Sequence, residues 1–230
     1  MQKIFKSEKI AAAAYIIAAL FFGIYAAAEI IPGFILSTAG RLFLLCFCCV
    51  FLWLGGVFLT KRIGNNGPMH MNLRIFLGLY LLLFATLTLF DPLWGRNGGF
   101  VLWTKEIFEA YVQRSLNLVP FSTIAEYFSK GNFHQFAVNI AGNFVCLMPL
   151  GILLPLAFKK QNEAGYFVLT CSLIVAAVEI LQFITLSGSC DIDDLILNVG
   201  GAVFMFFIVK IKKVNKLLRY IFLLEKGESL

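Results

Sequence analysis

Six runs of apolar residues, each close to the length that carries a helix across a bilayer, constrain this chain more than any other feature. They lie at about residues 10–31, 42–60, 73–90, 136–158 and 165–186, and from the acidic stretch at 191 to 209. At about 1.5 Å of rise per residue, about 20 residues cross a hydrocarbon core of about 30 Å. Inside that core every backbone amide needs a partner from its own segment, so runs of this length specify helices. The expected fold class is therefore all-α: a polytopic transmembrane helix bundle of about six spans. Composition points the same way, with 60% hydrophobic and 14% charged residues and a mean hydropathy of +0.86, where soluble domains carry about 25% charge.

The net charge of +6 does not point to nucleic acid, because most basic residues sit at the edges of the apolar runs. That placement is a topology signal. Lys3, Lys6, Lys9, Lys61, Arg62, Arg74, Lys159, Lys160 and the tail residues Lys210, Lys212, Lys213, Lys216 and Arg219 fall on one side of a six-span layout. Arg41, Arg96, Lys105, Arg114 and Lys130 fall on the other. The positive-inside rule then puts both termini in the cytoplasm of a multi-pass cell-membrane protein. The expected divisions are a three-span region at 1–90, an outer-face segment at 91–135, a second three-span region at 136–209 and a basic tail at 210–230. Cys46, Cys48, Cys49, Cys146 and Cys171 lie inside apolar runs and read as small apolar filler.

The segment 91–135 is too polar to span and too long for an ordinary loop. Trp103, Ile107, Phe108, Tyr111 and Val112 share one helical face, opposite Lys105, Glu106, Glu109 and Gln113, which predicts an amphipathic helix lying in the membrane interface. Asn117-Leu-Val-Pro-Phe121 breaks it. Thr123-Ile-Ala-Glu126 reads as a capping box opening a second short helix, closed by Lys130-Gly131-Asn132. Pro149 and Pro155 are expected to kink the fourth span.

Polar groups inside such spans call for explanation. Asp191, Asp193 and Asp194 stand at the head of the sixth run, with Asn198 within it. A helix starting near Asp191 places Asp191, Asp194 and Asn198 on one stripe and turns Asp193 away from it. A single Asp there needs no more than an N-cap role; three suggest a site. Asn139 and Asn143 lie one turn apart in the fourth run, and Glu179 and Gln182 share a face of the fifth. Asn143 and Glu179 each lie about 10 Å below the outer end of their spans, and Asn198 about 6 Å below Asp194. The expectation is one outward-opening pocket lined by Asn139, Asn143, Glu179, Gln182, Asp191, Asp194 and Asn198. Glu179 could act as a general acid or base, and the aspartates could hold a hard cation. His134 and Cys190 are expected near the same face and could extend a site for a softer metal, although no metal-ligand spacing of the strong kind is present. Catalysis and any cofactor stay open at this point.

Four blocks in order carry a resemblance: Asn117-Leu-Val-Pro-Phe121; Asn139-Ile-Ala-Gly-Asn143 leading into Pro149-Leu-Gly151 and Pro155; Glu179-Ile-Leu-Gln182; and Asp191-Ile-Asp-Asp-Leu-Ile-Leu-Asn198-Val-Gly200. Together they resemble the VanZ-like family over about residues 117–209, leaving the first three spans outside the match. The resemblance implies a bacterial cell-envelope membrane protein associated with resistance to the glycopeptide teicoplanin, with the lipid bilayer, a lipid-linked envelope precursor or the glycopeptide itself as partner. Many members carry an Arg just before the acidic block; here Gly188-Ser189-Cys190 stands there, and no Arg-based role carries over. The function classes left open are a binding or resistance protein, a membrane enzyme using carboxylates or a metal on a lipid-linked substrate, a transporter of a small solute or lipid, and a scaffold with no ligand.

Overall fold

A computed structural model of the chain describes residues 2–31, 33–90, 104–129, 137–186 and 188–224. Trp103 and His134 lie outside these residues, as does the helix-closing stretch at 130–132. The fold is essentially all-α, and six of its helical segments are long and apolar enough to cross a membrane. The chain is a multi-pass membrane protein. It divides into two units, one made of Met1–Leu83 with Ile211–Leu230, the other of Phe84–Lys210.

The first unit begins with α1 (Gln2–Ile30), α2 (Thr38–Ile63) and most of α3 (Gly67–Phe90). Ser37 caps α2 by accepting the Gly40 amide at 3.1 Å, and Gly64 closes it at φ +78°, the left-handed conformation glycine adopts without penalty. Ion pairs join α1 and α2 at both ends: Arg62 to Glu8 at 2.7 Å and Arg41 to Glu29 at 2.8 Å. The two helices are therefore antiparallel neighbours. Glu29, near the end of the first apolar run, has its partner within this hairpin.

The second unit carries the end of α3, then α4 (Lys105–Ser115), β1 (Leu116–Asn117) and α5 (Ser122–Ser129). Thr104 caps α4 by accepting the Ile107 amide at 3.3 Å. The charged side of α4 is exposed, and Tyr111 and Val112 are partly covered. The fourth span is not one helix. A π-helical turn at Ala137–Ala141 runs into α6 (Gly142–Cys146), the chain breaks at Leu147, and α7 (Met148–Ala157) restarts. Pro149 sits in the first turn of α7, where its missing N–H costs nothing. It restarts a helix rather than kinking one. Pro155 lies inside α7.

After a 3₁₀ turn at Lys159–Asn162 come α8 (Ala164–Ile184), β2 (Cys190–Asp191) and α9 (Ile192–Lys210). Small residues let α9 lie directly on the fourth span: a Cβ on Gly201 would stand 1.6 Å from the Phe144 carbonyl oxygen, and one on Gly151 would stand 2.6 Å from that of Ala202. Such backbone contact is how helices pack where lipid supplies no hydrophobic drive. Phe167 of α8 stacks on Phe206 of α9 at 4.5 Å. The chain returns to the first unit with α10 (Lys212–Ile221). Trp53 donates to the Ile221 carbonyl at 2.9 Å there, and Lys212, Lys213 and Lys216 stay exposed.

Candidate functional site

The site is built where α9 begins. β1 and β2 pair in parallel, Leu116 opposite Cys190 and Asn117 opposite Asp191. This pairing, which neither periodicity nor turn chemistry signals, brings the Asn117–Phe121 turn against the acidic stretch. Asp191 Oδ1 accepts the Asp193 amide at 2.8 Å, as an N-cap carboxylate does. Its Oδ2 accepts the Thr123 hydroxyl at 2.6 Å, and the Asn117 side-chain amide donates to Oδ1 at 3.2 Å. Asn117 also donates to Ser122 and Thr123, so one amide fixes the turn and ties it to Asp191.

Asp193 corrects the helical-stripe argument. It is fully buried rather than turned aside. Its carboxylate accepts the backbone amides of Phe121 at 2.5 Å, Thr123 at 2.9 Å and Ile124 at 3.1 Å. These are amides that the first turn of α5 leaves without partners, so Asp193 caps α5 across the fold and its charge meets the positive end of that helix. The expected capping box is overturned in the same way: the Thr123 hydroxyl goes to Asp191, and the cap comes from a residue 70 positions away. Phe121 holds φ +65°, a conformation non-glycine residues rarely adopt, with its amide aimed at Asp193.

The seven candidate residues line two neighbouring cavities. A cleft of about 220 Å³ takes in Asn139, Asn143, Asp191, Asp193 and Asp194, with Tyr127 of α5 at its wall. A chamber of about 70 Å³ takes in Glu179, Gln182 and Asn198. Asn143 and Asp194 border both, and the Asn143 amide donates to the Asp194 carboxylate. Asn139 donates to the Tyr127 hydroxyl at 2.8 Å. Glu179 is buried in mid-helix, and its Oε2 accepts the Asp191 amide at 3.3 Å. Gln182, equally buried, donates to the Thr88 carbonyl at 2.9 Å.

Residues 76–213 match the family model described as VanZ/LLP1. The chain belongs to the VanZ/LLP1 family. It is also 41% identical over 97 residues to Protein VanZ of Enterococcus faecium, an alignment covering 40% of this chain and 50% of that protein. The chain thus spans about half the length of that relative. No solved structure matches the chain.

The VanZ/LLP1 region reaches further back than the four sequence blocks. It starts at Phe76, inside α3, so the third span is partly within the match. It contains Thr88, whose carbonyl holds Gln182, a contact that no side-chain pattern marks. It also contains Cys190, whose thiol burial pushes above its ordinary pKa, with the nearby charges of Glu179 and Asp191 adding to the rise. Among the described residues, no group of three or more His, Cys, Asp and Glu side chains is arranged to hold a metal ion.

Proposed function

We propose that this VanZ/LLP1 protein acts at the outer face of the bacterial cell membrane and alters susceptibility to teicoplanin-type glycopeptides through its acidic cleft. The observation that carries the reading is the cleft itself: Asp191, Asp193 and Asp194 gathered with Asn139 and Asn143 in a space of about 220 Å³. The distribution of Lys and Arg supports both termini in the cytoplasm, which opens the cleft outward. A lipid-tailed glycopeptide and lipid-linked wall precursors meet at that leaflet, and α4, with its charged face exposed, suits the same layer. The described lining includes no Lys, Arg or His, so amine or peptide groups fit it better than phosphate. Asp194, held by Asn143, is the carboxylate offered to a ligand.

The test compares minimum inhibitory concentrations for wild type, Asp194→Asn and empty vector in a well-expressing host. Wild type should shift teicoplanin susceptibility more than vancomycin susceptibility. Asp194→Asn should lose the shift while accumulating normally in the membrane. Equal values for all three strains would end the proposal.

A further inference from the structure

We infer that the basic face of α10 is a docking surface for anionic phospholipid headgroups. At about 100° per residue, Lys212, Lys216 and Arg219 fall on one face of this helix with Lys213 and Tyr220 beside them, and Val214, Leu218 and Ile221 fall opposite. The fold uses the two faces differently. Val214, Leu218 and Ile221 are partly covered, while Lys212, Lys213 and Lys216 are exposed. Trp53 holds the far end by donating to the Ile221 carbonyl at 2.9 Å, and the next ring, Phe222, lies 6.4 Å from that of Phe76. Trp53 and Phe76 both belong to apolar spans. At the near end only Ile211 separates Lys212 from Lys210, the last residue of the span Ile192–Lys210. The helix is therefore tied to the membrane at both ends.

Its charge has no internal answer. No Asp or Glu stands between Asp194 and Glu225, whereas Lys210, Lys212, Lys213, Lys216 and Arg219 do. Lys210 is spent within the second unit, donating to the Asn162 carbonyl at 2.7 Å and lying over the Phe206 ring. Among the described residues, Lys212, Lys213 and Lys216 make no ion pair. Like charges three and four residues apart on a helix destabilise it, so an anion beside this face is favoured. Basic clusters next to a membrane span or on an amphipathic helix gather anionic lipid. A soluble polyanion would answer the charge alone. It would do nothing for Leu217 and Tyr220, which stand 56% and 80% exposed among the lysines. The boundary between headgroups and acyl chains takes both: the ring and the lysine stems lie along apolar chains while the ammonium groups reach the phosphates. The mixed face thus fits a leaflet surface better than nucleic acid or an acidic protein.

The inference does not depend on the glycopeptide reading. Its test uses the full chain purified in detergent and titrated with short-chain phosphatidylglycerol or with phosphatidylcholine of the same chain length. Inorganic phosphate and heparin, a soluble polyanion, are separate arms. Wild type should show a saturable rise in unfolding temperature with phosphatidylglycerol, weakening as salt is added. Lys212→Gln, Lys213→Gln and Lys216→Gln together should raise the half-saturating concentration about a hundredfold, the loss of about 2.8 kcal/mol of binding. The three corresponding Lys→Arg changes should keep the effect. Should the Gln variant not accumulate, the ratio of the two lipids retained by wild type after purification from an equimolar mixture decides the matter alone. Equal effects or equal retention of the two lipids, an undiminished effect in the Gln variant, its loss in the Arg variant, or a rise with phosphate or heparin as large as with phosphatidylglycerol would each overturn the inference. Unchanged inhibitory concentrations would bear only on the glycopeptide proposal.

Discussion

Asn72 is completely buried in the first unit. Its side-chain amide donates to the Leu52 carbonyl at 2.6 Å and lies 3.3 Å from the Tyr15 hydroxyl, so one neutral residue of α3 holds both α1 and α2. No space is left around it: a Cβ on Gly56 would come within 2.3 Å of the Asn72 amide nitrogen. The second unit buries Glu179, Gln182, Asp191, Asp193 and Asn198, and these line or border open volume. Two arrangements of buried polarity are thus on view in one chain. The first is closed, neutral and satisfied, and it works as interhelical glue. The second carries carboxylates, lines open volume and leaves Asn198 Oδ1 without a hydrogen-bond partner. Carboxylates lining open volume separate a candidate site from a brace; buried polarity by itself does not.

The largest effect expected from this contrast is steric. Gly201→Ala should prevent stable folding, because the obstacle is the Phe144 backbone at 1.6 Å. Gly56→Ala meets a side chain that can turn away, and it should cost less, about 1–3 kcal/mol as an overpacked core contact. Membrane accumulation and unfolding temperature of the two variants would show it, and equal losses would break the distinction.

Next in size is the difference between cap and brace. Asp193→Asn removes a charge that receives three amides; bonds to charged groups are worth about 1.5–3 kcal/mol each before any rearrangement. Its unfolding temperature should fall well below that of Asn72→Leu, which gives up neutral membrane hydrogen bonds averaging about 0.6 kcal/mol. Asn72→Leu should also keep any glycopeptide effect. If Asn72→Leu lost that effect at normal protein levels, the first unit's polar cluster would have to be counted as part of the site.

The smallest effect concerns Cys190. Burial, then Glu179, then Asp191, raise its thiol pKa. A raised pKa means less thiolate at neutral pH, so maleimide should label Cys190 more slowly than a free thiol, and labelling should quicken as pH rises. Glu179→Gln removes one of the raising charges and should speed labelling at pH 7. A rate unchanged by Glu179→Gln would mean that the carboxylate does not act on the thiol.

The six spans were legible because length and apolarity suffice to specify a transmembrane helix. The carboxylates at 191–194 were legible because charge beside an apolar run is costly. Asp193 was misread because a stripe argument sees only a residue's own helix, whereas its partners lie some 70 positions away. Asn72 escaped notice because the third apolar run begins one residue after it, while α3 starts at Gly67. The break at Leu147 was foreshadowed by Pro149, but the π-helical turn at Ala137–Ala141 has no comparable marker. The division of the polar residues between two cavities follows from side-chain packing, which spacing does not encode.

Asp193 also sets an order of events during synthesis. Phe121, Thr123 and Ile124 leave the ribosome about 70 residues before the carboxylate that receives their amides. Until then the start of α5 must stay hydrated or be held by an insertion factor, since its own sequence supplies no equivalent cap. Delivery of α9 is therefore also the moment when the preceding surface segment can lock. A chain stopped just before Asp193 should carry its first five spans but leave the 117–124 turn open to protease, a vulnerability that disappears when the next helix arrives.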